Sequence, residues 1–184
     1  MALVLGVGAV VGLGVDGALW SWAPALAGSE AWRWWTAAWV HWSRWHLLAN
    51  LAGLAVVALL GWRAGTGRAD AWAWALAWPL THGALLLQPA LQRYGGLSGV
   101  LHAGVVIVAL RLAFGTPGPR RTIGAALLAG VALKLLLEEP WRSALRQSAD
   151  WDIAIAPAAH VAGAVAGALC ALCVRVVEIV RARR

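Results

Sequence analysis

The sequence predicts an all-α membrane protein, and three features carry that prediction. Of 184 residues, 61% are hydrophobic and 12% charged, against roughly 45–50% and about 25% in a typical soluble domain. The apolar residues gather into six segments, each near the ~20 residues that cross a bilayer core as a helix. No stretch has the alternating pattern of a membrane β-barrel. The aromatic set is lopsided, with Trp 14 against Tyr 1 and Phe 1, and Trp favours the membrane–water boundary because its ring is amphipathic. Disorder and nucleic-acid binding fit this composition poorly despite a net charge of +7.

The six expected spans cover residues 2–22, 46–62, 71–87, 97–114, 122–137 and 153–179, within one membrane domain of residues 1–184. Ala25-Leu26-Ala27 before Gly28 resembles a signal-peptidase site, but Met1-Ala2-Leu3-Val4 has no positive charge, so the first segment is expected to stay as a true span. Between the first two segments, Trp32, Trp34, Trp35, Trp39, Trp42 and Trp45 are interleaved with Arg33, His41, Ser43 and Arg44. Such a stretch is too polar to span and too aromatic for bulk water, so it is expected in the interface, either as a plain aromatic belt or as a structured loop beside a site. The fifth segment ends in Lys134 and Glu138, four residues apart, expected as a snorkelled ion pair. Cys170 and Cys173 sit in one apolar run and read as small packing residues.

Basic residues orient the chain. Arg63, Arg68, Arg111, Arg120, Arg121, Arg175, Arg181, Arg183 and Arg184 fall on one side, and Arg33, Arg44, Arg93, Lys134, Arg142 and Arg146 on the other. The first group occupies short loops and the tail, where the positive-inside rule applies best. Both termini are then cytoplasmic and the Trp-rich loop is external.

Polar groups inside spans are costly and are candidates for function. His46 and Asn50 are four apart and share a helix face. Gly95-Gly96-Leu97-Ser98-Gly99 opens the fourth segment, where small neighbours leave the hydroxyl uncovered. His160 shares a helix side with Gly163 and Gly167, a small-xxx-small pattern suited to close contact. All three groups lie at the exterior ends of their segments. Together they supply acyl-transfer chemistry: Ser98 as nucleophile with His160 as its base, and His46, Asn50 and the Ser98 backbone N–H as oxyanion donors. The soluble G-x-S-x-G elbow is excluded, because Val100 stands two residues after Ser98 and no strand precedes it. Two other readings remain: a bis-His haem protein using two of His41, His46, His82, His102 and His160, or a non-catalytic protein that binds membrane helices. His82, with Thr81, is expected to make a structural hydrogen bond, and His41 to order the loop.

These residues resemble the rhomboid family of intramembrane serine proteases. The resemblance rests on His41…His46-x-x-x-Asn50, Gly96-Leu97-Ser98-Gly99 and Ala159-His160-x-x-Gly163-x-x-x-Gly167, in that order, with Trp32-Arg33-Trp34-Trp35-Thr36 similar to the family's W-R motif. Within it, Gly96-Leu97-Ser98-Gly99-Val100-Leu101-His102 resembles the rhombosortase subgroup, as do the six-helix length and Lys134…Glu138, although Glu139 stands where Gln is usual. His102 replaces a Tyr of many rhomboids, and Ala37 a His of some. The resemblance implies a six-helix rhomboid-type bundle in the bacterial inner membrane, with its active site open to the exterior. It implies a Ser98–His160 dyad without an acidic third member, so that packing alone orients His160. It implies no cofactor or metal. The implied substrates are membrane-anchored exported proteins carrying a C-terminal Gly-Gly motif, a transmembrane helix and a basic tail, the alternative being a general rhomboid protease with other substrates.

Overall fold

A computed structural model describes residues 1–115, 117–149 and 151–182. Arg183 and Arg184, counted in the charge bias, lie outside the described residues. The described chain is helical: α1 Ala2–Val11, α2 Gly17–Trp20, α3 Arg33–Thr36, α4 Arg44–Ala64, α5 Arg68–Gly83, α6 Ser98–Ala113, α7 Pro119–Leu137 and α8 Pro157–Ala182, with short 3₁₀ turns between them. Two isolated antiparallel bridges, Trp22 to Tyr94 and Arg146 to Ile155, tie loops together.

The first apolar segment, residues 2–22, is not one continuous helix. α1 passes into a 3₁₀ turn at Gly12–Gly14, Val15 is extended, and the Asp16 carboxylate starts α2 afresh by accepting from the Ala18 N–H at 2.8 Å. Gly8 and Gly12, four apart on one face, form the seat of Trp39: a side chain at Gly8 would strike its indole, and one at Gly12 its carbonyl.

The Trp-rich stretch folds into α3 and two 3₁₀ turns held by side-chain bonds to backbone carbonyls. The buried Arg33 donates to the Ala18 and Ser21 carbonyls at 2.9 and 2.6 Å and pairs with Glu30 at 2.6 Å. Thr36 donates to the Trp20 carbonyl at 2.9 Å, Trp34 Nε1 to Ala27 at 2.9 Å, and Trp78 Nε1 to Trp35 at 3.0 Å. Each donor removes a carbonyl that an apolar surrounding would penalise.

α6 is the axis of the bundle. It buries residues on all its faces, among them Val100, Ala103, Gly104, Val106, Ile107 and Ala109, and α4, α5, α7 and α8 pack around it. The α5 contact is fixed by Trp74 Nε1 donating to the Val100 carbonyl at 2.8 Å. The α8 contact is backbone on backbone: a Cβ at Gly163 would lie on the Gly99 carbonyl, and one at Gly167 would meet Ala103 backbone. α7 is peripheral, and Gly124 is its one buried residue.

Large apolar side chains also cover the outside, including Leu59, Leu133, Val165, Leu169 and Val176. An apolar exterior of this extent is a binding surface, here for lipid. Two helices, Arg44–Ala64 and Pro157–Arg181, are by themselves long and apolar enough to cross a membrane; Ala2–Gly14 and Ser98–Ala113 are apolar but shorter. Exposed tryptophans mark both ends, with Trp62 and Trp72 at one and Trp32, Trp42, Trp45, Trp141 and Trp151 at the other.

Because Gly163 has backbone where a methyl would go, Gly163→Ala should lower stability by about 1–3 kcal/mol or more. At Gly130, where a Cβ meets nothing within 4 Å, alanine should be neutral or stabilise by up to about 1 kcal/mol. Thermal unfolding of the two detergent-purified variants checks both.

Candidate active site

The N-terminal ends of α4, α6 and α8 and the C-terminal end of α7 meet at one end of the bundle. Around a cavity of about 520 Å³ they bring His46, Asn50, Ser98, His102, Lys134, Glu138 and His160. Each arrives by a local device. The Ser43 hydroxyl caps α4 by accepting from the His46 N–H at 3.0 Å, which fixes His46 in the first turn and Asn50 one turn on. Ser98 is the first residue of α6, so its N–H has no partner one turn back and sits at the positive end of the helix dipole. Gly96 precedes it with φ +142°, a conformation that suits glycine, and a Cβ there would press on the His46 ring at 2.8 Å. Pro157 opens α8, leaving His160 within its first turn.

Ser98 Oγ lies 3.0 Å from His160 Nε2. It also lies 3.4 Å from the Tyr94 hydroxyl, so the shorter contact directs the serine proton to the imidazole. His160 Nδ1 lies 2.6 Å from Glu138 Oε2. A carboxylate only accepts, so Nδ1 carries the proton and Nε2 is left to accept from Ser98. This corrects the expectation that packing alone orients His160: an acidic partner is present. Lys134 comes within 3.5 Å of the same Nδ1, but two donors do not bond, and its ammonium instead pairs with the other oxygen of Glu138. The Lys134–Glu138 pair is therefore not a simple surface ion pair. His102 stacks on His160, with ring centroids 4.4 Å apart and planes at 18°, and donates from Nδ1 to the Ser98 carbonyl at 2.7 Å.

On the other side of Ser98, His46 Nδ1 accepts from the Trp42 N–H at 3.4 Å. The ring proton then sits on Nε2, the atom beside Gly96. Asn50 is buried and its Nδ2 donates to no protein acceptor. Two N–H donors and the Ser98 backbone N–H thus border the space in front of the hydroxyl.

His41 lies edge-on to His46, with centroids 4.8 Å apart, and donates from Nδ1 to the Trp39 carbonyl at 3.2 Å. Burial lowers its pKa, which keeps it neutral in the loop. His82 is fully buried and its Nδ1 donates to the Trp34 carbonyl at 2.6 Å, the structural bond expected of it. The rings of His41 and His46 touch, as do those of His102 and His160, and leave no room for a haem between them. Among the described residues, no group of three His, Cys, Asp or Glu is disposed to hold a metal ion. Tyr94 was not singled out by the sequence. It is buried, its hydroxyl donates to the Gly96 carbonyl at 3.0 Å, and it accepts from the Gly99 N–H at 3.4 Å. Its signal was only that it is the single tyrosine, placed directly before Gly95-Gly96.

A family profile described as the rhomboid domain matches residues 28–176, most of the chain and all of this site. The chain belongs to the rhomboid family. Rhomboids are membrane-embedded serine proteases that cut membrane-protein substrates within the bilayer, so membership assigns intramembrane proteolysis at the level of the family. Comparison with curated proteins found no match. The rhomboid match begins within the Trp-rich stretch, at Gly28, and includes the W-R residues, of which Arg33 anchors the loop to the end of α2.

Tyr94→Phe removes one hydroxyl and leaves the buried Gly96 carbonyl without its donor. Stability should fall by about 1–3 kcal/mol, read as a lowered thermal midpoint with unchanged helix content.

Proposed function

We propose that this rhomboid is a Ser98–His160 intramembrane endopeptidase of the rhombosortase type. The observation that carries the reading is the 3.0 Å contact from Ser98 Oγ to His160 Nε2 at the wall of the cavity. Ser98 Oγ attacks the scissile carbonyl carbon as its proton passes to His160 Nε2, and the carbonyl electrons move onto oxygen. The Ser98 N–H, His46 Nε2–H and Asn50 Nδ2–H hold that oxyanion. When it collapses, the C–N bond breaks and the leaving amine takes the proton from His160. Water then adds to the acyl-enzyme, giving its proton to His160, and the new carboxyl product leaves as Ser98 regains its hydrogen. His102 supports His160 by stacking, and Gly96, Gly99, Gly163 and Gly167 set the approach of α6 and α8.

In the same reading, six helical segments cross a bacterial inner membrane with both termini cytoplasmic and the site facing outward. The helix is interrupted at Val15, so the first crossing is α1 with its 3₁₀ continuation and α2. The charge bias supports this orientation, and so does the distribution of arginines, with Arg63, Arg111, Arg120 and Arg175 at the end of the bundle opposite Ser98. The Gly96–His102 run and the Lys134…Glu138 feature support the subgroup. Its substrates are then exported proteins anchored by a Gly-Gly, transmembrane and basic C-terminal tail.

A fluorophosphonate probe should label the protein in native membranes, and Ser98→Ala should abolish labelling while leaving the fold intact. Labelling that survives in both Ser98→Ala and His160→Ala would sink the mechanism. Asn50→Ala should slow labelling by about 10²–10³-fold if it supplies one oxyanion donor. Mass spectrometry of exported proteins from cells with and without the chain tests the subgroup: unprocessed Gly-Gly tails should accumulate without it.

A further inference from the structure

The bundle holds two neighbouring glutamates at the end of α7, and they are treated very differently. Glu139 pairs with Arg142 at 2.9 Å, with side chains 37% and 75% exposed, an ordinary surface ion pair of small value. Glu138 is only 14% exposed, and its two oxygens are divided between two partners. Oε1 takes the Lys134 ammonium and Oε2 takes the His160 Nδ1–H at 2.6 Å. If Glu138 served only as the i,i+4 partner of Lys134, its carboxyl would be free to stay with the half-exposed ammonium in solvent. Instead it leans inward onto the imidazole.

The chain stops α7 so as to hold it there. Glu138 N–H closes the last helical turn on the Lys134 carbonyl at 3.1 Å. Glu139 then turns into the left-handed region at φ +49°, and Pro140 ends the helix. A β-carbon-bearing residue in that region is unfavourable, so the stop is set against local preference, directly after the residue that meets His160.

We propose that Glu138 is the positioning residue for His160 and that Lys134 orients the Glu138 carboxylate, making a Ser98–His160–Glu138 relay out of what the family signature implies to be a dyad. This inference rests on the Ser98–His160 reading above. In the resting enzyme the Glu138 bond selects the Nδ1–H tautomer, which alone leaves Nε2 able to take the serine proton. Once Nε2 is protonated, the carboxylate faces the imidazolium across the ring and stabilises it, while the Nδ1 proton stays on nitrogen. Lys134 occupies the oxygen that would otherwise draw the carboxyl toward solvent. Ser98 and His102 from α6 also face His160, His46 from α4 acts on it at longer range, and the Asp152 carboxylate, in the loop before α8, acts on His46. Among the described residues Glu138 is the carboxylate in hydrogen-bond contact with the ring, so it is the group that most distinguishes the protonated ring from the neutral one. Burial by itself raises the Glu138 carboxyl, but His160 and Lys134 outweigh it and leave its pKa lowered to about 2. It is therefore ionised throughout the neutral range.

The experiment is the rate of fluorophosphonate labelling of the full chain in detergent micelles as a function of pH, with saturation in probe separating reactivity from probe binding. Replacing the acid of a serine-protease triad by its amide costs about 10⁴ in turnover. Glu138→Gln should accordingly lower the maximal labelling rate by about 30-fold or more with little change in the probe concentration at half-saturation. The acid limb should move to lower pH by about one unit or more, as expected when an anion within hydrogen-bond distance of a histidine is removed. Glu138→Asp, which keeps the charge one methylene short, should fall between the two and recover the acid limb. Glu139→Gln should label like the parent. A Glu138→Gln protein that labels within about threefold of the parent with an unmoved acid limb overturns the inference, although it leaves the Ser98 reading intact. Loss of that reading is seen separately, as labelling that persists in Ser98→Ala. If Glu138→Gln does not fold, Glu138→Asp decides: labelling at the parental rate at every pH overturns the inference, and a fall of about fivefold or more at an unchanged thermal midpoint supports it.

Discussion

The contact between α6 and α8, in which Gly163 faces the Gly99 carbonyl and Gly167 faces Ala103 backbone, sets the geometry of everything at the active end. Lipid tails are as apolar as the side chains of a membrane bundle, so helices gain little by hiding from them and associate through close packing instead. Glycine allows the axes to approach until backbone meets backbone. Ser98 begins one of these helices and His160 lies in the first turn of the other. Their separation is therefore inherited from the interhelical distance and not from flexible loops. A wider spacing by one methyl layer would pull the imidazole out of reach of the hydroxyl.

The second constraint is the satisfaction of polar groups in an apolar body. The chain meets it largely with tryptophan and arginine. Indole N–H groups of Trp34, Trp74 and Trp78 close carbonyls in the loop and between α5 and α6, and Arg33 closes two more. Tryptophan suits this because it brings a single donor on a large apolar plate, with nothing else to satisfy. The Trp-rich stretch is thus built as a scaffold as much as a surface, and it delivers Ser43 and His46 to the start of α4. The accounting is not complete: the Trp22 and Trp39 indole N–H groups are buried without an acceptor, as is Asn50 Nδ2, whose residue alone of the three borders the cavity beside Ser98.

Much of this was readable because polar residues are scarce in the sequence. His46 and Asn50 at helical spacing, Ser98 among glycines, and His160 beside a small-residue stripe stood out against alanine, leucine and valine, and the structure brings all four to one cavity. The apolar segments at 46–62, 71–87, 97–114, 122–137 and 153–179 each overlap one of the helices α4 to α8. The break in the first segment was hidden because glycine and valine count as apolar whether or not the helix continues through them. The seating of Trp39 on Gly8 and Gly12 was hidden as well, since it joins parts of the chain about thirty residues apart. Glu138 escaped for a different reason. Lys134 at i−4 accounts for its charge locally, and its contact with His160, across 22 residues, exists only after α7 and α8 are packed. Tyr94 likewise acts through a fold-dependent bond to its own chain's glycine turn.

The basic excess takes on a different meaning once the helix ends are inspected. At the end of the bundle opposite Ser98, Arg120 donates to the Arg63 carbonyl at 3.1 Å, and Arg175 to the Phe114 and Arg111 carbonyls at 3.4 and 3.3 Å. Arg111 pairs with Asp70 at 2.8 Å. The last carbonyls of α4 and α6 have no following turn to accept from, and these guanidinium groups take its place. In the folded chain Arg120 and Arg175 cap helix ends, their positive charge set against the negative ends of the backbone dipoles. Arg120 and Arg175 thus finish helix ends at this side of the bundle, while Arg63, Arg68, Arg121 and Arg181 stay exposed there.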